Sequence, residues 1–327
     1  MVMYSLPIIL AVSVILIQLL NHNINRKKFD HMFDRMSQLW EIAEMNGEVE
    51  VLKEVTDEGS QMGSMFRSSI WIFTIFFLSM PLCPIFLDFI LPLNETRARE
   101  PLFKLNYMVD MRDHFFIEYF HSAFSSIVVV LITATFDSLY MVIIHYGCGL
   151  FALCGYQVKK AAEIAGTNAT ICTKNDLFRR CVITHHEAIR FYECMDESTR
   201  TGYLIQVVLT MIAFTVNAVQ AVLHMDRPNE FIAILMFMCG QQFHQFALCL
   251  PGQVLIDRSL DLINDIYSSK WYQTPVKYQR TILTMQIRCS KACKLTAGGF
   301  YEMNMENFGA IIKTSVSYFT VLLSLRS

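Results

Sequence analysis

Residues 307–325 read N-F-G-A-I-I-K-T-S-V-S-Y-F-T-V-L-L-S-L, nineteen residues whose single charge is Lys313. About 20 predominantly apolar residues cross a bilayer as a helix, so the stretch is a candidate membrane span. At roughly 100° per residue, Thr314, Ser317, Val321 and Leu325 fall in one narrow sector bordered by Lys313, Thr320 and Ser324, while Ile312, Phe319 and Leu323 point away from it. In lipid such a hydroxylated face bonds a neighbouring helix, folds its hydroxyls back onto its own carbonyls, or borders water in a pore.

The composition agrees with a membrane location. Of 327 residues, 54% are hydrophobic and 17% charged, against about 45–50% and 25% in soluble domains. A net charge of −2 excludes a strongly basic nucleic-acid binder. The ten cysteines occur singly, with no CxxC pair. Cys289 and Cys293 are one helical turn apart but lack a second ligand pair, so no metal and no other cofactor is expected.

Six apolar spans are predicted, at about residues 1–20, 68–91, 118–146, 202–223, 231–250 and 307–325, within one all-α polytopic bundle. The first is followed rather than preceded by Arg26, Lys27 and Lys28 and has no small-residue cleavage site, unlike a signal peptide. It would enter the membrane without a leading charge, and we therefore expect an earlier span to be missing. The apolar run 122–158 is 37 residues, about 55 Å of helix against a hydrocarbon core of about 30 Å, so this helix projects beyond the bilayer. Asp137 then lies near one interface, and His145 in the projecting part. Adjacent His185 and His186 diverge by about 100° on a helix, which reads as a surface helix rather than a metal pair. Gln241, Gln242, His244 and Gln245 fall inside the fifth span, where they either bond neighbouring helices or line an aqueous vestibule.

Lysine and arginine number twenty in segments 21–67, 159–201 and 251–304, and five in 92–117 and 224–230. The positive-inside bias puts the first three segments in the cytoplasm and both chain ends outside. The sequon at Asn94 is then accessible to glycosylation, while the one at Asn168 faces the cytoplasm. The projecting end of the third span, the helix around His185 and the segment around Trp271 carry apolar residues and are expected to pack together beneath the membrane.

The stretch L-T-A-G-G-F at 295–300, then residues 304–308, then K-T-S-V-S-Y-F-T-V-L at 313–322 resembles the C-terminal signature of insect odorant receptors; Ile266-Tyr267 and Trp271-Tyr272 match the family pattern too. The resemblance implies a seven-span fold with a cytoplasmic N-terminus and an external C-terminus, the spans here corresponding to the family's second to seventh. It further implies an odour-gated, non-selective cation channel in the plasma membrane of olfactory sensory neurons. The channel would be a hetero-tetramer with the shared odorant co-receptor, embedded in membrane lipid. By the same resemblance the last helix lines the pore: Val321 and Leu325 match the gate, above Ser317 and Thr314.

The ligand implied is a small hydrophobic volatile or cuticular compound, an odorant or pheromone. Family resemblance places its pocket in the outer halves of the first, second, third and fifth spans, which contain Met3, Tyr4, Ile8, Met80, Phe86, Tyr119, Phe120, Phe124 and Met236. Each of these residue types also suits plain helix packing. The alternatives are a gustatory-receptor-like channel, whose usual Thr-Tyr-x5-Gln-Phe ending is not found here, and a secondary transporter, whose internal repeats are not visible. No enzyme motif is present.

Overall fold

A computed structural model describes residues 2–91, 97, 101–103, 115–167 and 170–326, with side chains from Ser5 onward and excluding those of 322, 323, 325 and 326. The two sequons, Asn94 and Asn168, therefore lie outside the described residues.

Nine α-helices order the described chain: α1 Val2–Ile24, α2 Arg26–Met45, α3 Val49–Ser79, α4 Cys83–Ile90, α5 Phe115–Ala165, α6 Ile171–Leu223, α7 Pro228–Ser268, α8 Val276–Cys289 and α9 Met305–Arg326. A two-stranded antiparallel hairpin, β1 Thr296–Ala297 and β2 Tyr301–Glu302, precedes α9. Proline explains two of the boundaries. Pro81 lies in the 3₁₀ turn Met80–Leu82 and Pro84 in the first turn of α4; a ring without an N–H breaks a long helix yet suits a first turn. Pro251, by contrast, lies inside α7 without ending it.

The polar segments predicted between spans are continuous with them. α5, α6 and α7 run 51, 53 and 41 residues, or about 60–80 Å at 1.5 Å per residue, so each carries both an apolar stretch and a polar extension. Thr170 opens α6: its Oγ1 accepts from Thr173 N at 3.3 Å, satisfying one of the unpaired amides of a first turn.

Five helical stretches among the described residues are long and apolar enough to cross a membrane: Ser5–Ile24, Val49–Ile90, Phe115–Ala165, Ile171–Leu223 and Pro228–Ser268. Each overlaps one predicted span. The sixth, 307–325, falls on α9, which is not in that set and carries Glu306, Lys313 and several hydroxyls. In the most apolar window of the Val49–Ile90 stretch only 11% of residues are buried. Ile72, Ile75 and Phe76 on α3, Phe120 and Phe124 on α5, and Val208 and Ile212 on α6 all face outward, an apolar perimeter that water does not tolerate and lipid does.

The largest core sits at the other end, where α2, α8 and the extensions of α5, α6 and α7 converge. Phe29, Leu52, Tyr146, Cys154, Phe178, Ile266, Ile282 and Leu295 are all buried in it, and Trp271 packs against it. The phenol and phenyl rings of Tyr278 and Phe178 stack at 4.2 Å. The expected packing of the α5 projection, the His185 helix and the Trp271 segment is thus what the chain forms. His185 departs from a plain surface position: it is buried, with Nε2 3.3 Å from Cys289 Sγ, whereas His186 on the diverging face is exposed. Burial and the nearby Arg288 and His186 charges push its pKa down to about 4. Around this core Arg35 bonds Glu187 at 2.6 Å and holds that carboxyl below its usual range. Lys160 and Gln157 reach buried Glu48 at 3.0 and 2.7 Å.

The L-T-A-G-G-F stretch closes the base. Leu295 and Ala297 are fully buried, and Thr296 donates from both N and Oγ1 to Asp196 Oδ1, at 2.7 and 2.9 Å. Gly298 and Gly299 turn the hairpin at φ +68° and +82°, a left-handed backbone that glycine adopts without a Cβ penalty. Asn304 then starts α9, its Oδ1 accepting from Asn307 N at 2.8 Å.

Candidate functional site

A cavity of about 410 Å³ lies among α1, α3, α5, α6 and α7, in the stretches that carry the apolar spans. Its walls are aliphatic and aromatic: Ile8 and Val12 from α1, Phe73 and Phe77 from α3, Val129 and Val130 from α5, and Phe237 from α7. Phe103, from the segment between α4 and α5, closes one end, its ring 6.0 Å from that of Phe77, which lies 6.5 Å from Phe237. Beyond these three rings a smaller space of about 110 Å³ continues past Pro7, Leu102 and Ile234. Gly240 lies close against this wall: a Cβ there would stand 2.9 Å from the Phe73 ring, so any side chain would displace that ring.

The opposite end is polar. Thr133, Thr210, Gln241 and His244 line it. Behind them Asp137, wholly buried, accepts from Gln18 Nε2 at 2.9 Å and lies 2.7 Å from His244 Nε2. A buried carboxylate is tolerable only with such partners. Gln241 Oε1 accepts from Asn217 Nδ2 at 3.0 Å. Of the polar residues of the fifth span, Gln241 and His244 bond neighbouring helices, as one expectation had it, and both also line the cavity. Along α5 the hydroxyls of Ser122, Ser125, Ser126 and Thr133 mark the cavity face, and Ser122 Oγ is buried without a partner among the described residues.

Of the residues expected in the pocket, Ile8 lines both spaces. Tyr119 is half-buried and donates its hydroxyl to Leu78 O at 3.1 Å. Met80 and Met236 are half-buried outside the lining, and Phe86, Phe120 and Phe124 are 63%, 67% and 69% exposed. The side chains of Met3 and Tyr4 lie outside the described residues. The lining that the sequence reading missed, Phe73, Phe77, Phe237, Thr133, Thr210 and Gly240, shares one signal: it tracks the small and polar residues within each apolar span, which face protein rather than lipid.

On α9, Thr314, Ser317 and Val321 are exposed, Val321 by 57%, while Leu325's side chain lies outside the described residues. Phe319, on the opposite face, packs against Ala218, Ala221 and Met238 of α6 and α7. Their hydroxyls return to the helix backbone: Thr314 donates to Ala310 O at 2.8 Å, Ser317 to Lys313 O at 2.9 Å and Thr320 to Ser317 O at 2.8 Å. Among the described residues, no group of three or more His, Cys, Asp or Glu is placed to hold a metal.

Residues 1–316 match the family model described as 7tm Odorant receptor. Odorant receptor 13a of Drosophila melanogaster is 22% identical over 325 residues, covering 94% of this chain and 76% of that protein. The odorant receptor coreceptor of Anopheles gambiae is 22% identical over 143 residues, 43% of this chain and 30% of that protein. The solved structure of the insect olfactory receptor OR5 from Machilis hrabei in complex with eugenol superposes with a TM-score of 0.71 at 14% identity, over 99% of this chain and 81% of that one. With a family match over nearly the whole chain and a shared helical-bundle fold, this multi-pass membrane protein is a receptor of olfaction rather than an enzyme, and it belongs to the 7tm odorant receptor family.

Proposed function

We propose that the chain is the odorant-binding subunit of a ligand-gated, non-selective cation channel, opened by a small hydrophobic odorant or pheromone seated in the cavity of about 410 Å³. That cavity carries the reading. It is large enough for a small organic ligand, walled by aliphatic and aromatic side chains, and supplied at one end with a few hydrogen-bonding groups. Its volume falls within the ~300–1,000 Å³ usual for ligand sites. The receptor of similar fold holds eugenol, a small aromatic. An odorant with one polar head fits with that head at Thr133, Thr210, Gln241 and His244 and its hydrocarbon body between Phe73, Phe77 and Phe237.

The similarity to coreceptors supports assembly with the shared odorant co-receptor in a hetero-tetramer, in the plasma membrane of olfactory sensory neurons. With the C-terminus outside, α9 presents Thr314, Ser317, Val321 and Leu325 to a central pore, and the exposed sector of α9 suits contact with water or with another subunit. Apolar rings at Val321 and Leu325 would close that path by dewetting. The test is whole-cell recording from cells expressing the receptor with and without the co-receptor while volatile hydrophobic compounds are applied. Odour-evoked cation currents that require both chains are expected; a receptor that reaches the surface with its co-receptor and signals only through a G protein would contradict the channel.

A further inference from the structure

A second cavity, of about 270 Å³, lies between α6, α7 and α9. Its walls are Val207, Met211 and Phe214 on α6 and Ile311 and Tyr318 on α9, with the carboxamides of Gln242 and Gln245 entering from α7. Gln245 is 2% exposed, yet among the described residues its Oε1 has no hydrogen-bond partner and its Nε2 reaches only Cys249 Sγ at 3.8 Å. Gln242 Oε1 is buried and unpartnered as well. The other polar lining is hydroxyl, from Thr210, Thr215, Thr314 and Ser315, of which Thr215 and Thr314 donate to their own helix backbone, so the two carboxamide oxygens leave hydrogen-bonding capacity that the fold does not use. The volume is that of about nine liquid waters, enough for a body of several carbons as well as a head group.

We propose that this cavity is a second ligand site, for a small amphiphile with one O–H or N–H donor, such as a medium-chain primary alcohol or a phenol, and that its occupant modulates the channel. The donor bonds the Gln245 oxygen, and the hydrocarbon lies along Phe214 and Ile311. Two placements make the site a modulatory one. Thr210 belongs to the wall of both cavities, so the two ligands share a side chain. Thr314, in the sector assigned to the pore, also lines the second cavity, so a molecule there props or releases α9. The binding step stands apart from the channel reading; the effect on gating rests on it.

The test uses the full receptor complex in lipid nanodiscs and an octanol carrying a photoreactive diazirine, with labelled residues mapped by mass spectrometry. Label is expected in 207–218 and 311–318, displaced by excess 1-octanol and reduced at least fivefold by Gln245→Leu, which keeps the volume and removes the acceptor. Should Gln245→Leu fail to yield monodisperse protein, Ser315→Phe, which fills the cavity from α9, serves the same comparison. Label confined to outward residues such as Phe120 and Phe124 or to the first cavity, or label on 311–318 that neither substitution alters, overturns the site. In recordings, 1-octanol is expected to shift the agonist concentration for half-response at least threefold in the unsubstituted receptor and not in Gln245→Leu. An equal shift in both overturns the modulatory role. Absence of any agonist current contradicts the channel reading instead, and the labelling then decides the site alone.

Discussion

His244 Nε2 and Asp137 Oδ2 lie 2.7 Å apart, joining α7 to α5 behind the floor of the larger cavity, with Gln18 of α1 completing the shell of the carboxylate. Removing one partner of a buried hydrogen bond leaves the other polar group unsatisfied, commonly at a cost of about 1–3 kcal/mol. His244→Leu should therefore lower the yield of folded receptor at the cell surface severalfold, and His244→Leu with Asp137→Leu should recover much of it. Surface biotinylation and detergent melting curves measure both. A double substitution no better than the single one would show that the pair does more than satisfy itself.

The α9 sector makes a separate claim. Val321→Ser or Leu325→Ser should raise leak current or change ion selectivity with surface expression retained. Phe319→Ser, which opens a hole against Ala218, Ala221 and Met238, should cut assembly first, at a cost on the order of 3 kcal/mol. Val321→Ser and Leu325→Ser channels with ordinary leak, selectivity and agonist response would remove these residues from the pore.

His185 gives the base a pH dependence. Its pKa is pushed down to about 4 by burial, so the folded state resists the proton that the unfolded chain takes up near 6.5. Between those values the unfolded state binds more protons, and stability falls as pH falls, by up to about 3 kcal/mol at pH 4. Melting of the purified receptor from pH 7 to pH 5 should shift downward, and His185→Gln should flatten the shift. An unaltered slope would assign the acid sensitivity to other groups.

Orientation is open to direct assay. An epitope after Ser327 should be stained on intact cells, and Asn94→Gln should remove one glycan while Asn168→Gln removes none. Staining only after permeabilisation would invert the assignment of α9's outer end and with it the gate.

The legibility of this chain in its sequence follows from what an apolar span encodes. Each of the five described stretches long and apolar enough to cross a membrane overlaps a span predicted from hydropathy, and the helical wheel of 307–325 separates Phe319, which packs inward, from Val321, which does not. Hydropathy does not encode which face is which within spans whose every side is apolar. Phe120 and Phe124 on α5 read like pocket aromatics, yet lipid accepts them as readily as a cavity does, and they point outward. The small and polar residues carry the missing information, because Ser126, Thr133 and Gln241 gain little from lipid and turn toward protein. Asp137 illustrates a second limit: helix length alone placed it near an interface, and only the packing of α1 and α7 shows that Gln18 and His244 meet it. His185 was misread for a related reason, since its partner surface on α8 is about 100 residues distant in the chain.

The most direct test of the central claim, that ligand occupies the cavity among α1, α3, α5, α6 and α7, compares agonist size preference in cavity-facing and outward aromatic variants. Currents are recorded with the co-receptor across a homologous series of agonists, for Phe77→Ala and Phe237→Ala on one side and Phe120→Ala and Phe124→Ala on the other. The first pair should shift the preferred agonist toward longer members, by roughly tenfold in relative potency for each ~1.4 kcal/mol of new apolar contact, and the second pair should leave the order unchanged. A shift in Phe120→Ala or Phe124→Ala, with Phe77→Ala and Phe237→Ala unchanged, would place the ligand on the outer face of α5 and contradict the account.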